Sequence, residues 1–235
     1  MLIRKTCFVV RKNLGSTLTV FVWARADTFG GKVPDPFSAM LEREMCMPNL
    51  NLGAQHSGAG FYTEDDAIHE IIENAQGVFI EALSIVNQSN PFYRVHPRRN
   101  DRFVTALRLL YDLFPETDFD ECHFTNHLIT KLITIDAARA DIVFRTLQDE
   151  WMRNLTIMRA RWRTKTVVHW YKKPQISHPE FEFSVADLIG LSPELYSAVS
   201  QVQDQVVSTQ LAMSHIPASQ RDHQQIGQRL LYAIA

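Results

Sequence analysis

Short runs of β-branched and aromatic residues alternate along this chain with longer amphipathic stretches, the rhythm of an α/β protein. Leu18 to Trp23, Leu50 to Leu52, Gly77 to Val86, Thr166 to Tyr171 and Val206 to Leu211 are five strand-like runs. Helical signals lie between them. Asp35-Pro36 predicts a start with aspartate as cap and proline in the first turn, and the helix runs to about Cys46, where Pro48 stops it. Thr63-Glu64-Asp65-Asp66 sets acids against the positive end of the next helix. Ser192-Pro193-Glu194 opens another, and Ala218 to Ile234 is a closing amphipathic helix.

The alternation breaks between the third and fourth runs. Residues 102 to about 162 show helical period only. Phe103, Ala106, Leu107, Leu110 and Phe114 form one stripe, and Phe144, Leu147, Trp151, Leu155, Met158 and Trp162 form another. Between them Phe124 to Ala138 predicts a helix with Thr125 near its cap. This stretch exceeds an ordinary crossover and predicts a helical insertion that covers the strand ends like a lid. Strands alternating with helices imply a mostly parallel five-stranded sheet covered on both faces, a three-layer αβα sandwich. One α/β domain is expected over residues 17–235, with the insertion at 102–162 and an N-terminal extension at 1–16.

Composition narrows the class. Lys+Arg is 24 against Asp+Glu 26, a net charge of −2, so a general nucleic-acid binder with a basic face is not expected. Cys7, Cys46 and Cys122 are an odd set without CxxC spacing, which suits a reducing compartment. The apolar core Cys7 to Val10 is too short for a signal peptide, and no run approaches the ~20 apolar residues of a membrane span. The expectation is cytoplasmic.

Against this neutral background, Tyr93 to Phe103 holds Arg94, Arg98, Arg99 and Arg102 together with His96, Asn100 and Asp101. It follows the third strand, where open α/β sheets bind ligands. Guanidinium forks grip carboxylate, sulfate or phosphate through paired hydrogen bonds, so His96, Arg98, Arg99, Asn100 and Arg102 are the candidate anion clamp. The plain alternative is that Asp101 and other acids pair with these arginines and the segment only docks the insertion. Glu81 inside the third strand is expected as a buried structural pair or an edge position, and His169 as a core or edge residue. His123 and His127 have helical metal spacing but lack further ligands, so no metal is expected. No Walker or GxGxxG loop is present, and no cofactor is expected.

The motifs Asp27-Thr28-Phe29-Gly30, Pro36-Phe37, Asn51-Leu52-Gly53, the Ser89-Asn90 to Phe103 block and His123 to Leu128 resemble those of a bacterial family carried as a domain of unknown function. The resemblance covers roughly residues 17 to 170. At a deeper level the motif order is similar to the SGNH (GDSL-type) hydrolases. That resemblance implies a flavodoxin-like sandwich with a nucleophilic serine after the first strand. It also implies oxyanion donors after the second and third strands, and a histidine base before the last helix. On this chain Ala26 stands in the serine position; Asp27 or Thr28 could replace it as nucleophile or base, the plain alternative being a βα-turn whose backbone these side chains satisfy. The backbone N–H of Gly53 and the side chain of Asn87 or Asn90 take the oxyanion positions, although Ser84-Ile85-Val86-Asn87 lacks the family's glycine. His223 takes the base position, with Asp222 adjacent rather than three residues before it.

Three readings therefore stand at this point. One is an SGNH-hydrolase-like domain that acts on or binds a polar, acylated or anionic carbohydrate-type ligand and lacks the serine. The second is a non-catalytic anion- or glycan-binding module. The third is a transferase whose arginines hold an anionic donor.

Overall fold

The computed structural model describes residues 19–22, 33–172, 193–202, 205–210 and 219–234. Five strands, β1 (Thr19–Val22), β2 (Asn49–Asn51), β3 (Gly77–Glu81), β6 (Lys165–Lys172) and β7 (Gln205–Gln210), lie side by side in the order β2-β1-β3-β6-β7. Every pairing between them is parallel. Each strand falls on one of the five runs, and all but the Asn-Leu-Asn of β2 are rich in the Val, Ile, Phe and Thr that fit a pleated surface buried on both sides. The third run ends early: β3 stops at Glu81 instead of reaching Val86.

Alternate residues of the central strands feed two separate cores. Phe79 and Val167 pack with Phe37 and Leu41 of α1 (Phe37–Met45) and with Ile226 and Leu230 of α8 (Gln220–Ile234). Val78, Ile80, Val168 and Trp170 join a larger core. It takes in α2 (Ala59–Thr63), α3 (Asp66–Glu73), α6 (Ala137–Arg161) and α7 (Pro193–Val202). The α/β class expected from the periodicity is thus the class observed.

Three helix starts show their local chemistry. Asp65 caps α3 by accepting from the N–H groups of Ala67 and Ile68 at 2.9 and 3.3 Å. Ser219 and Asp222 form a reciprocal box at the start of α8, with Asp222 Oδ2 accepting from Ser219 N at 2.7 Å. Asp35 does not cap α1: Pro36 occupies the cap position without a side-chain bond, and Asp35 pairs with Arg43 instead. The Phe37 N–H donates to His223 Nδ1 at 3.1 Å, so a histidine of α8 caps α1 across the chain.

Between β3 and β6 the expected all-helical stretch is corrected. It opens with an antiparallel hairpin, β4 (Tyr93–His96) and β5 (Arg99–Ala106), before α4 (Arg108–Leu113), α5 (Thr125–Ile135) and α6. The apolar spacing from Phe103 to Phe114 mimics a helical stripe but is shared between a strand and a six-residue helix. Thr125 is not a cap either. Phe124 holds that position, and the Thr125 hydroxyl donates to Asn87 Oδ1 at 2.7 Å.

Arg139 ties the insertion together. Its guanidinium donates to the Leu113 carbonyl at 2.8 Å, to Glu116 and to Asp136, and lies 4.6 Å from the Phe114 ring centre. The hydrogen bond from Arg139 holds the Glu116 carboxyl below its ordinary range, and the Arg139 backbone N–H and guanidinium do the same for Asp136. A carboxyl depressed in the folded state stabilises fully above its unfolded pKa, and that stabilisation fades as pH falls through the depressed value. The melting temperature should therefore fall as pH drops from about 5 to about 2, and less steeply in Arg139→Leu. Equal slopes for the two proteins would remove this role from Arg139.

Candidate functional site

The chain leaves β1 for β2 on one side and β3 for β6 on the other, so the ligand crevice of such a sheet is expected outside the carboxyl ends of β1 and β3. Ala26, Asp27 and Thr28, which follow β1, lie outside the described residues. The loops after β2 and β3 and the β4–β5 hairpin are described, and they meet.

Residues 52–58 after β2 are pinned from several directions. The Gly53 N–H donates to Asn51 Oδ1 at 2.8 Å. The buried Tyr62 hydroxyl accepts from Ala54 N at 3.3 Å, donates to the Leu52 carbonyl at 3.1 Å and lies 3.1 Å from Ser57 Oγ. Burial holds its proton well above the ordinary phenol range, so it stays neutral. Asn87, after β3, donates from Nδ2 to the His56 carbonyl at 3.3 Å. Gly58 lies against the Asn87 backbone, and any β-carbon there would sit inside the Asn87 carbonyl group, 2.6 Å from its carbon.

The hairpin joins the same junction through one side chain. Asn100 is 5% exposed. Its Oδ1 accepts from the Gly58 N–H at 2.8 Å and its Nδ2 donates to the His96 carbonyl at 3.0 Å. The hairpin turn, Pro97 and Arg98, therefore stands beside the post-β2 loop. His96 Nδ1 accepts from the N–H groups of Arg98 and Arg99, both at 3.2 Å, and closes that turn.

Most of the sequence-predicted polar residues turn out to be struts. Asn90 Oδ1 accepts from Phe92 N and Tyr93 N, and its Nδ2 donates to the Gln88 carbonyl at 2.9 Å. Both ends of the Asn87 and Asn100 amides are occupied in the same way, and so is the Gly53 N–H. The arginines are exposed and differ in their partners. Arg99 makes a two-point contact with Asp101 at 3.2 and 3.1 Å. Arg102 lies 5.9 Å from the Phe124 ring centre. Arg98 has no side-chain partner among the described residues.

His223 is 2% exposed and stacks on Phe37 with ring centres 5.6 Å apart. A neutral ring that accepts at Nδ1 carries its proton on Nε2. A hydrolase base of the serine-triad kind needs the opposite tautomer. Helices α1 and α8 both follow strands of the parallel sheet, so this ring lies at the carboxyl edge, where its N–H is a donor.

The sequence reading did not single out His56, whereas it did single out Glu81 and His169. His56 has φ 61°, in the left-handed region, and is exposed. Its signal was available: a histidine inside a glycine-rich post-strand loop. Glu81 stands opposite His169 in the β3–β6 register, and His169 Nε2 lies 2.9 Å from Thr209 Oγ1. They make a buried polar row across β3, β6 and β7. A separate cavity of about 170 Å³ lies between the outer edge of β5 and the Phe119 to His123 segment, and none of the predicted site residues lines it. Among the described residues no helix is long and apolar enough to cross a membrane.

These features define an α/β protein built on a parallel sheet, with two loops and a hairpin stitched together by asparagine side chains at its carboxyl edge. The chain belongs to the family described as Domain of unknown function (DUF6473), whose match spans residues 11–229. No curated protein matches the chain.

Proposed function

We propose that this chain is an SGNH-like, flavodoxin-like three-layer domain that binds a small, polar, anionic ligand of carbohydrate type at the carboxyl edge of its sheet, without serine-type acyl transfer. The observation that carries this reading is the Asn100 strut. It locks the hairpin turn to the post-β2 loop and leaves the Arg98 guanidinium in solvent without a partner among the described residues. A guanidinium held at a fixed edge is suited to a carboxylate or sulfate through two parallel hydrogen bonds. The hydrolase alternative has less support. Alanine occupies the serine position, the Gly53 N–H is engaged by Asn51, and His223 carries its proton on the wrong nitrogen for a base.

Calorimetric titration with sodium sulfate and with sodium glucuronate tests the reading. At least one is expected to bind wild-type protein, more weakly as salt rises. Arg98→Ala is expected to weaken that binding about tenfold or more, as the loss of a charge-assisted pair should. Arg99→Ala should matter less, because Asp101 already holds that guanidinium. A screen on acyl esters and acetylated sugars is expected to show no turnover. Turnover that survives Arg98→Ala would reverse the choice between the two readings.

A further inference from the structure

The turn at the tip of the post-β2 loop is fixed by several hydrogen bonds, yet its two central side chains make no hydrogen bond or ion pair among the described residues. The Ser57 N–H donates to the Ala54 carbonyl at 3.1 Å, closing a four-residue turn with Gln55 and His56 at its centre. Both central residues are exposed, while Ala54, Ser57 and Gly58 are buried. His56 occupies the third position with φ 61°, a place that favours glycine or asparagine. The chain supplies glycines on either side, at 53 and 58, but an imidazole at position 56, whose left-handed backbone favours glycine.

That conformation is held from outside the turn. Asn87 bonds the His56 carbonyl, Tyr62 bonds Ala54 and Ser57, and Asn100 bonds Gly58. Three side chains from three different segments thus fix a solvent-facing tip. Left-handed non-glycine residues persist where surrounding structure over-determines them, and they cluster where a side chain must be aimed. The same Asn100 amide that holds Gly58 also holds the His96 carbonyl, so the loop carrying His56 and the turn carrying Arg98 are tied to one side chain.

We propose that Gln55, His56 and Arg98 form one composite anion-binding edge, in which Arg98 pairs with the oxyanion of the ligand and His56 donates a second hydrogen bond to it. This rests on the binding reading above and adds a loop and two residues to it. The ligand chemistry is an oxyanion on a small polar molecule. A sulfate and a sugar carboxylate are its two sources. Guanidinium supplies donors only, and an imidazole can turn one ring N–H toward the same oxyanion.

The test uses the full-length protein, with calorimetric titration of sodium sulfate and of sodium glucuronate, and thermal melts of every variant. His56→Gly relieves the backbone and removes the imidazole. It is expected to keep or raise the melting temperature and to weaken binding about tenfold or more. His56→Asp also tolerates the left-handed region and presents an acceptor, so it should weaken binding at least as much. Loss of affinity without loss of stability is a result that a purely structural histidine would not give. Binding of sulfate alone assigns a tetrahedral oxyanion, and binding of glucuronate alone assigns a sugar carboxylate. If Arg98→Ala loses affinity while either His56 variant binds like wild type, the composite edge is wrong and the binding reading stands. If neither probe binds wild-type protein, both are overturned.

Discussion

Replacing Gly58 by alanine is expected to lower the unfolding free energy by about 3 kcal/mol and to abolish anion binding, although residue 58 itself offers no side chain to a ligand. The new β-carbon would lie inside the Asn87 carbonyl group, and backbone cannot swing aside as a flexible side chain can. The post-β2 and post-β3 loops would have to part. Parting them stretches the Asn87–His56 hydrogen bond, now 3.3 Å, and the Gly58–Asn100 bond, now 2.8 Å. Two hydrogen bonds at about 1 kcal/mol each, added to the overpacking, account for the magnitude. Denaturant unfolding measures the stability and titration measures the affinity. Alanine tolerated with wild-type stability and wild-type binding would mean that the loops do not make this close approach.

Trp151→Ala is the second large effect, expected at about 4 kcal/mol or more. The ring is fully buried in α6, meets Trp170 edge-on with ring centres 6.3 Å apart, and donates from Nε1 to the Leu83 carbonyl at 2.9 Å. Truncation leaves a large cavity and strands a buried carbonyl just past the end of β3. Leu83 belongs to the segment that leads to Asn87, so the site should loosen together with the core. Beside it Gln88 Nε2 donates to the Leu147 carbonyl at 2.9 Å, and Asn154 Nδ2 donates to Gln88 Oε1 at 3.1 Å, which sets the post-β3 segment against α6. Set against a typical total of about 5–15 kcal/mol, such a loss removes a large share of the stability. A change below about 1 kcal/mol on denaturant unfolding would show that α6 does not anchor β3.

Elements that announce themselves by burial were legible in the chain. β1, β3, β6 and β7 fall on β-branched runs, as strands covered on both faces do, and the Trp151-to-Trp162 stripe is buried against the core as its spacing implied. The hairpin was missed for a physical reason. Its residues include Arg94, Arg98, Arg99, Asn100, Asp101 and Arg102, which have low strand propensity, and only β4 keeps a clean in–out alternation. β5 is irregular, with register shifts around Val95, so its period blurs into the helix that follows.

The site was legible in part. Arginines and a histidine after the third strand marked the hairpin that meets the post-β2 loop, but residue type alone does not separate ligand contacts from struts. Asn87, Asn90 and Asn100 use both ends of their amides inside the protein. His223 spends Nδ1 on a helix start. Only the folded arrangement shows that Arg98 and His56 are left facing solvent.

The account depends on the two post-strand loops and the hairpin acting as one ligand edge. A backbone-amide NMR titration of the isotopically labelled protein with sodium glucuronate and with sodium sulfate measures this most directly. Shifts gathered at residues 55–58, 87–90 and 96–102 are the predicted result. Shifts confined to the β5 edge and residues 119–123, or no shifts with either salt, would contradict it.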